Sequence, residues 1–314
     1  MKLIICGNGF DIHSGLRTCY CAYRRYLKTN APSVLESFEK FPWLNISCKE
    51  NLWSNLENTL AIDFHSMAEF YKQYYCDENG SQEYRLDFEE WTRFIYSFTG
   101  EEFYKWISSE VKNAKKDASL ELLFRDAVCV TFNYTDTIER LYGVEINRVL
   151  HIHGSLNNVK NDECLGGNIL PFFNSAEEAE IFAKPIIESD IWNSDIIRAE
   201  IQFGAPLSRE EEARNIIDSI QDELIKRDFV TIVEKTTKKL YNNMEKLQHF
   251  LDGKEIEEVV ILGPSLLGAD EIYYSQYFIP KYKDVKWVAY FHEDKEEKEI
   301  FFNKYKIIPE YKKW

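Results

Sequence analysis

No stretch of this chain approaches the roughly 20 consecutive apolar residues that span a bilayer, so a helical membrane protein is excluded. Glycine (13 residues) and proline (8) are scarce and no segment is low in complexity, which excludes a collagenous or disordered chain. Basic residues are outnumbered, 38 Lys and Arg against 53 Asp and Glu, for a formal net charge of −15. That deficit excludes a general nucleic-acid binder, which needs a basic face to neutralise phosphates. It leaves room for a small anionic ligand, because backbone N–H groups can hold a phosphate without Lys or Arg. The seven cysteines are odd in number and scattered, and the closest two, Cys19 and Cys21, make no Cys-x-x-Cys pair. Neither a disulfide framework nor a zinc module is expected; reduced thiols in a cytoplasm are. The opening, one lysine before four apolar residues, is too short for a secretory signal.

What is present is a chain of 314 residues, 45% hydrophobic, able to bury a large core as one elaborated domain or two. Its first twenty residues organise the rest. Lys2-Leu-Ile-Ile-Cys6 reads as a short buried strand, opening directly into Gly7-Asn8-Gly9-Phe10-Asp11 and then Ile12-His13-Ser14-Gly15-Leu16. Two glycines permit a sharp turn and leave no side chain between backbone amides and a ligand. A helix starting soon afterwards would add its dipole in favour of an anion. Gly-x-Gly alone equally serves turn geometry, so it gains meaning only with company.

From Tyr20 to about Lys116 the pattern is helical. Trp53, Leu56, Glu57, Leu60 and Phe64 recur at three- and four-residue steps, as do Phe88, Trp91, Phe94 and Ile95. These read as the core of a helical insertion, with Glu57 facing inward towards a partner. Ala127-Val-Cys-Val-Thr-Phe132 is a second strand, with Thr131 near its end, running into Asn133-Tyr-Thr-Asp-Thr137. In parallel α/β sheets ligands bind at such carboxyl ends. Thr135 and Asp136 read as helix caps there, and Asn133 as either a turn residue or a ligand contact. Arg148-Val-Leu-His151-Ile-His153-Gly154 is a third strand, in which His151 and His153 share a face. His151 reads as a hydrogen-bonded core residue; His153, last before a glycine, reads as chemistry. No Asp, Glu or Cys of convincing spacing joins them as a metal site. Leu165-Gly-Gly-Asn168 looks like a turn. Residues 175–252 return to helix, where Phe229, Val233, Thr236, Leu240, Leu247 and Leu251 keep one packing stripe as far as the stop at Gly253. A strand at Glu257–Leu262 ends in Gly263-Pro-Ser-Leu266 with Asp270 beyond. Lys286–Phe291 is the last expected strand, and 293–299 a charged, solvated helix start.

The four strand-end tips, Gly-Asn-Gly-Phe-Asp, Phe-Asn-Tyr-Thr, His-Gly and Gly-Pro-Ser-Leu, resemble in order and wording the AbiH family of bacteriophage abortive-infection proteins. The match runs through Gly7–Asp11, Gly15–Tyr20, Trp53 with Glu57, Asn133–Thr135, His151–Gly154, and Gly263–Leu266 with Asp270. Two positions depart from that pattern: Arg17 stands where proline is usual, and Pro264 where histidine is usual. More distantly, the layout is similar to the sirtuin-like NAD-binding fold, with Gly7, Gly9, Gly15 and Leu16, the turn Thr131–Thr135, His153-Gly154 and Gly263–Leu266 in register. The structural zinc module of sirtuins has no counterpart, which argues against peptide deacetylation.

The resemblance implies an α/β, Rossmann-like (sirtuin-like) parallel sheet with large helical insertions. Residues 1–30 and 120–314, including the helical segment 175–252, would form the nucleotide-binding domain, and 31–119 a cap that dries the site. It also implies an antiphage protein that hydrolyses NAD to nicotinamide and ADP-ribose. Asn133 would hold the ribose or a water and His153 would act as general base. Gly7, Asn8, Gly9 and Phe10 would take the diphosphate, with Asp11, Gly15, Thr131, Ser265 and Asp270 completing the ligand site. The alternative is a module that binds NAD or ADP-ribose without turnover and signals to a partner. A metal-dependent nuclease is the weakest reading, for want of charge and ligands. NAD or a related nucleotide is the expected partner; a phage-derived trigger protein and self-association are compatible with the sequence.

Overall fold

The computed structural model describes residues 1–40, 53, 56, 60, 94, 97–156, 240–267, 270–292 and 295–314. The chain divides into two compact units: residues 1–22, 104–163 and 243–314, and residues 23–103 and 164–242.

The first unit carries a six-stranded sheet whose every pairing is parallel: β1 (Lys2–Cys6), β2 (Ala127–Thr131), β3 (Val149–His151), β4 (Glu258–Leu262), β5 (Lys286–Phe291) and β6 (Glu310–Lys313). The order across the sheet is β3-β2-β1-β4-β5-β6. A central parallel strand is covered on both faces, so it needs an unbroken apolar run rather than alternation. β1 meets that demand: Leu3, Ile4, Ile5 and Cys6 are all fully buried. Ile4, Cys6, Cys129, Val260, Leu262 and Val288 share one face with Phe10 and Phe124. Leu3 pairs with Val128 on one side and Val259 on the other. The sheet is therefore Rossmann-like, and its connection order reverses between β1 and β4. The crevice at that reversal, outside the carboxyl ends of the strands, is where doubly wound folds bind ligands.

Two differences from the sequence reading are local. Phe291 does not end the sheet, because Glu310–Lys313 adds β6 along β5, from Val288↔Glu310 to Phe291↔Lys313. An edge strand need bury only part of itself, so Glu-Tyr-Lys-Lys carries no apolar run to announce it. A short helix also begins at Asn8, inside the glycine motif, and ends at His13; the next runs Tyr20–Asn30.

In the second unit, Phe38 stacks on Phe98 with centroids 4.1 Å apart, and Trp53 lies 5.2 Å from Phe38. The Tyr23 hydroxyl donates to the Phe98 carbonyl at 2.6 Å. Leu56, Leu60 and Phe94 are buried, as an inward aromatic and aliphatic stripe requires. The inward reading of Glu57, with Phe64, Phe88, Trp91 and Ile95, falls outside the described residues. So do the turn 165–168, the stripe at Phe229, Val233 and Thr236, and Glu293. Among the described residues no helix is long and apolar enough to cross a membrane.

Candidate active site

The glycine loop after β1 is pressed against the loop after β4. The Gly7 N–H donates to the Leu262 carbonyl at 3.1 Å, Gly9 N–H to Gly263 O at 2.8 Å, and Phe10 N–H to Gly7 O at 2.9 Å. A methyl group on Gly7 would lie 2.3 Å from Pro264 Cα, and one on Gly9 would lie 2.6 Å from Gly263 O. Gly263 itself sits at φ +74°, where an L side chain is strained, and a methyl there would strike Phe10 N at 2.4 Å. These glycines let two strand-end loops touch backbone to backbone. Three of the amides expected to cradle a diphosphate thus serve the fold's own carbonyls. Pro264, which departs from the AbiH pattern, lies directly over Gly7. Asn8 turns its side-chain amide to the Thr18 carbonyl at 3.1 Å, and Gly15 ends the short helix at φ +84°.

A connected polar network joins the ends of β1, β2 and β3. Asn133 donates its side-chain amide to Gly7 O at 2.9 Å, while its own N–H donates to the buried Thr131 hydroxyl at 3.1 Å. Asp11, 1% exposed, accepts at Oδ2 from the Thr135 hydroxyl at 2.7 Å, and Thr137 donates to Thr135 at 3.0 Å. Thr135 is therefore no simple cap, and Asp136 makes no side-chain capping bond. Burial pushes the Asp11 carboxyl up to about 7; the Thr135 and Thr137 hydroxyls, the charge of His151 and the Asn133 amide pull the other way without offsetting it. Among the described residues Asp11 Oδ1, Ser14 Oγ and Thr18 Oγ1 are buried and make no hydrogen bond. Each such atom costs about 1–3 kcal/mol if nothing else meets it. His151 places Nδ1 3.0 Å from the Asn133 carbonyl and Nε2 2.8 Å from Glu139 Oε1. Desolvation works against its charge, but the bond to Glu139 and that carboxylate's charge outweigh it and hold its pKa above the ordinary histidine value. His151 is the hydrogen-bonded histidine its strand position suggested.

His153 leads elsewhere, because β3 ends at His151 and strict alternation ends with it. It is 6% exposed, with Nε2 2.9 Å from Asp270 Oδ1. Phe132, Tyr134 and Tyr273 surround it, with ring centroids at 5.7, 6.3 and 5.8 Å. Asp270 directly precedes a helical stretch, Glu271–Tyr282, whose middle turn Tyr274–Phe278 is a π-helix, a feature frequent at functional sites. A carboxylate on Nε2 orients the ring and selects the tautomer that carries its proton there, which leaves Nδ1 as the accepting atom.

The fold thus brings Gly7, Gly9, Phe10, Asp11, Thr131 and Asn133 together and sets His153 and Asp270 beside Phe132 of the same turn. Ser265 is drawn away: its hydroxyl donates to Glu297 Oε1 at 2.8 Å, and Leu266 N–H meets the same oxygen at 3.1 Å. Glu297 stands on the helix Lys295–Tyr305, whose start the charge pattern marked as merely solvated. Sequence reasoning missed Thr135, Thr137, Glu139 and Glu297 as site-building groups. Only the polar turn next to a strand end signalled the first two. Among the described residues no three or more His, Cys, Asp or Glu side chains are placed to hold a metal ion. The family profile described as bacteriophage abortive infection AbiH matches residues 3–291. No curated protein and no solved structure matches the chain.

Proposed function

This chain belongs to the AbiH family of bacteriophage abortive-infection proteins and shares its antiphage role, and from that premise we propose that it hydrolyses NAD to nicotinamide and ADP-ribose. The observation that carries the reading is the buried His153–Asp270 pair at 2.9 Å, which joins the chain following β3 to the chain following β4 of a parallel sheet. Breaking the nicotinamide–ribose bond builds an oxocarbenium-like ribose, as in glycoside hydrolysis. The pyridinium leaves neutral, taking the electron pair of the broken bond, and needs no acid. What the reaction needs is a base for one water. His153 Nδ1 takes that proton as the water oxygen bonds to C1′, and Asp270 balances the imidazolium before the proton passes to solvent. The aromatic rings around His153 keep bulk water out. Asn133, held against Gly7, positions rather than reacts.

The test is nicotinamide release from NAD by purified protein, followed by mass spectrometry, with His153→Gln and Asp270→Asn compared at equal thermal stability. Turnover lost in both supports the assignment; turnover unchanged in either removes it. Binding without turnover is the second reading, favoured by Pro264 occupying the position over Gly7 where the AbiH pattern has histidine. It predicts thermal stabilisation by NAD or ADP-ribose with no product.

A further inference from the structure

We infer that Asp11 is the hydroxyl-binding residue of this site: its bare Oδ1 accepts from the vicinal diol of a ribose in the bound nucleotide. The inference rests on the nucleotide reading above and separates residues that the sequence left interchangeable. Of the three side chains that could meet a ribose, Ser265 is engaged by Glu297 and Asp270 by His153. Of the three, Asp11 combines near-complete burial with an oxygen that makes no hydrogen bond among the described residues. Its other oxygen is fixed by Thr135, itself fixed by Thr137, so the carboxyl plane is set before any ligand arrives. Preorganisation of this kind belongs to binding groups more than to packing.

The neighbourhood fits a diol better than other partners. Ser14 Oγ and Thr18 Oγ1, three and seven positions further along the chain, are also buried and make no hydrogen bond among the described residues. A carboxylate oxygen only accepts, so what suits it is an O–H that donates, which each hydroxyl of a diol supplies. A metal ion would need further carboxylates or histidines, and no such group of three exists among the described residues. A phosphate would be repelled by the carboxylate once ionised.

The test uses the full chain at pH 8, where Asp11 is ionised, and measures ADP-ribose affinity by calorimetry for wild type and Asp11→Asn. This substitution keeps the shape and the Thr135 bond but turns the bare acceptor into a donor. The same titration on wild type compares ADP with 2′,3′-dideoxy-ADP, which needs no variant to fold. The expected result is at least tenfold weaker binding of ADP-ribose to Asp11→Asn and of the dideoxy compound to wild type. Equal affinities, or no binding of ADP-ribose to wild type, overturn the inference. If Asp11→Asn does not fold, the comparison of ADP with its dideoxy analogue decides alone. Asp11-dependent binding without nicotinamide release keeps the hydroxyl site and removes the hydrolase.

Discussion

Asn133 reaches across 2.9 Å to the carbonyl of Gly7 and ties the end of β2 to the end of β1. The bond is buried, and the same amide favours ionisation of Asp11. Asn133→Ala leaves a buried carbonyl without its donor and should lose about 1–3 kcal/mol of stability in denaturant unfolding. Asn133→Asp sets a second carboxylate against Asp11 and Gly7 O. It should be less stable than the alanine variant at pH 8, with the gap closing as the pH falls. An aspartate variant as stable as the alanine one at pH 8 would show that the two side chains are not neighbours.

Gly7→Ala tests the contact between the loops. Its methyl would lie 2.3 Å from Pro264 Cα, a backbone atom that cannot swing aside. Overpacking there should cost about 3 kcal/mol or more, or prevent folding. Gly100, whose methyl would meet nothing within 4 Å, is the control: Gly100→Ala should leave the thermal midpoint within a few degrees.

If His153 is the base, His153→Gln should lower nicotinamide release by roughly 10² or more, within the range seen for general-base removal. Asp270→Asn should lower it as well, because the amide cannot balance the imidazolium. Circular dichroism melts run alongside separate lost chemistry from lost fold.

Stability should fall as the pH rises. Burial raises the Asp11 carboxyl from 3.8 to about 7, so between those values the folded chain keeps a proton that the unfolded chain releases. That favours unfolding progressively from pH 4 to 7. His151 is also raised, by Glu139 against the pull of burial; its contribution is present below the unfolded value and lost as pH climbs through the folded one. Both act in the same direction, and the Asp11 shift alone corresponds to on the order of a few kcal/mol. Asp11→Asn removes the Asp11 share, so the variant should gain on wild type steadily from pH 4 to 7 in thermal melts. Parallel curves would remove the Asp11 assignment.

The core of the fold was legible because buried parallel strands must be continuous apolar runs: Leu3–Cys6, Val128–Val130 and Val259–Leu262 announce themselves. β6 did not, since Glu310-Tyr-Lys-Lys meets only the looser demands of an edge. The same division applies at the site. Glycines at 7, 9 and 263 were visible, but what they approach was not, because the partner of Gly7 lies at Pro264, far along the chain. Thr135 looked like a helix cap because capping is the commoner use of threonine beside a helix. Its bond to Asp11 depends on a pairing that no local pattern encodes. Glu297 was hidden among six other charges in an unbroken row of seven, 293–299, and nothing in that row marks it as the one that meets Ser265 and Leu266.

β1 lies between β2 and β4, so its two neighbours are made at very different moments. Leu3 is synthesised almost at once, yet its second partner, Val259, follows only when most of the chain exists. At about 5–20 residues per second, the central strand waits roughly 10–50 s on the ribosome with one flank open. The Asp11–Thr135 and Asn133–Gly7 bonds need only the first half of the chain, whereas the face that β1 shares with β4 closes only after Leu262 has been made.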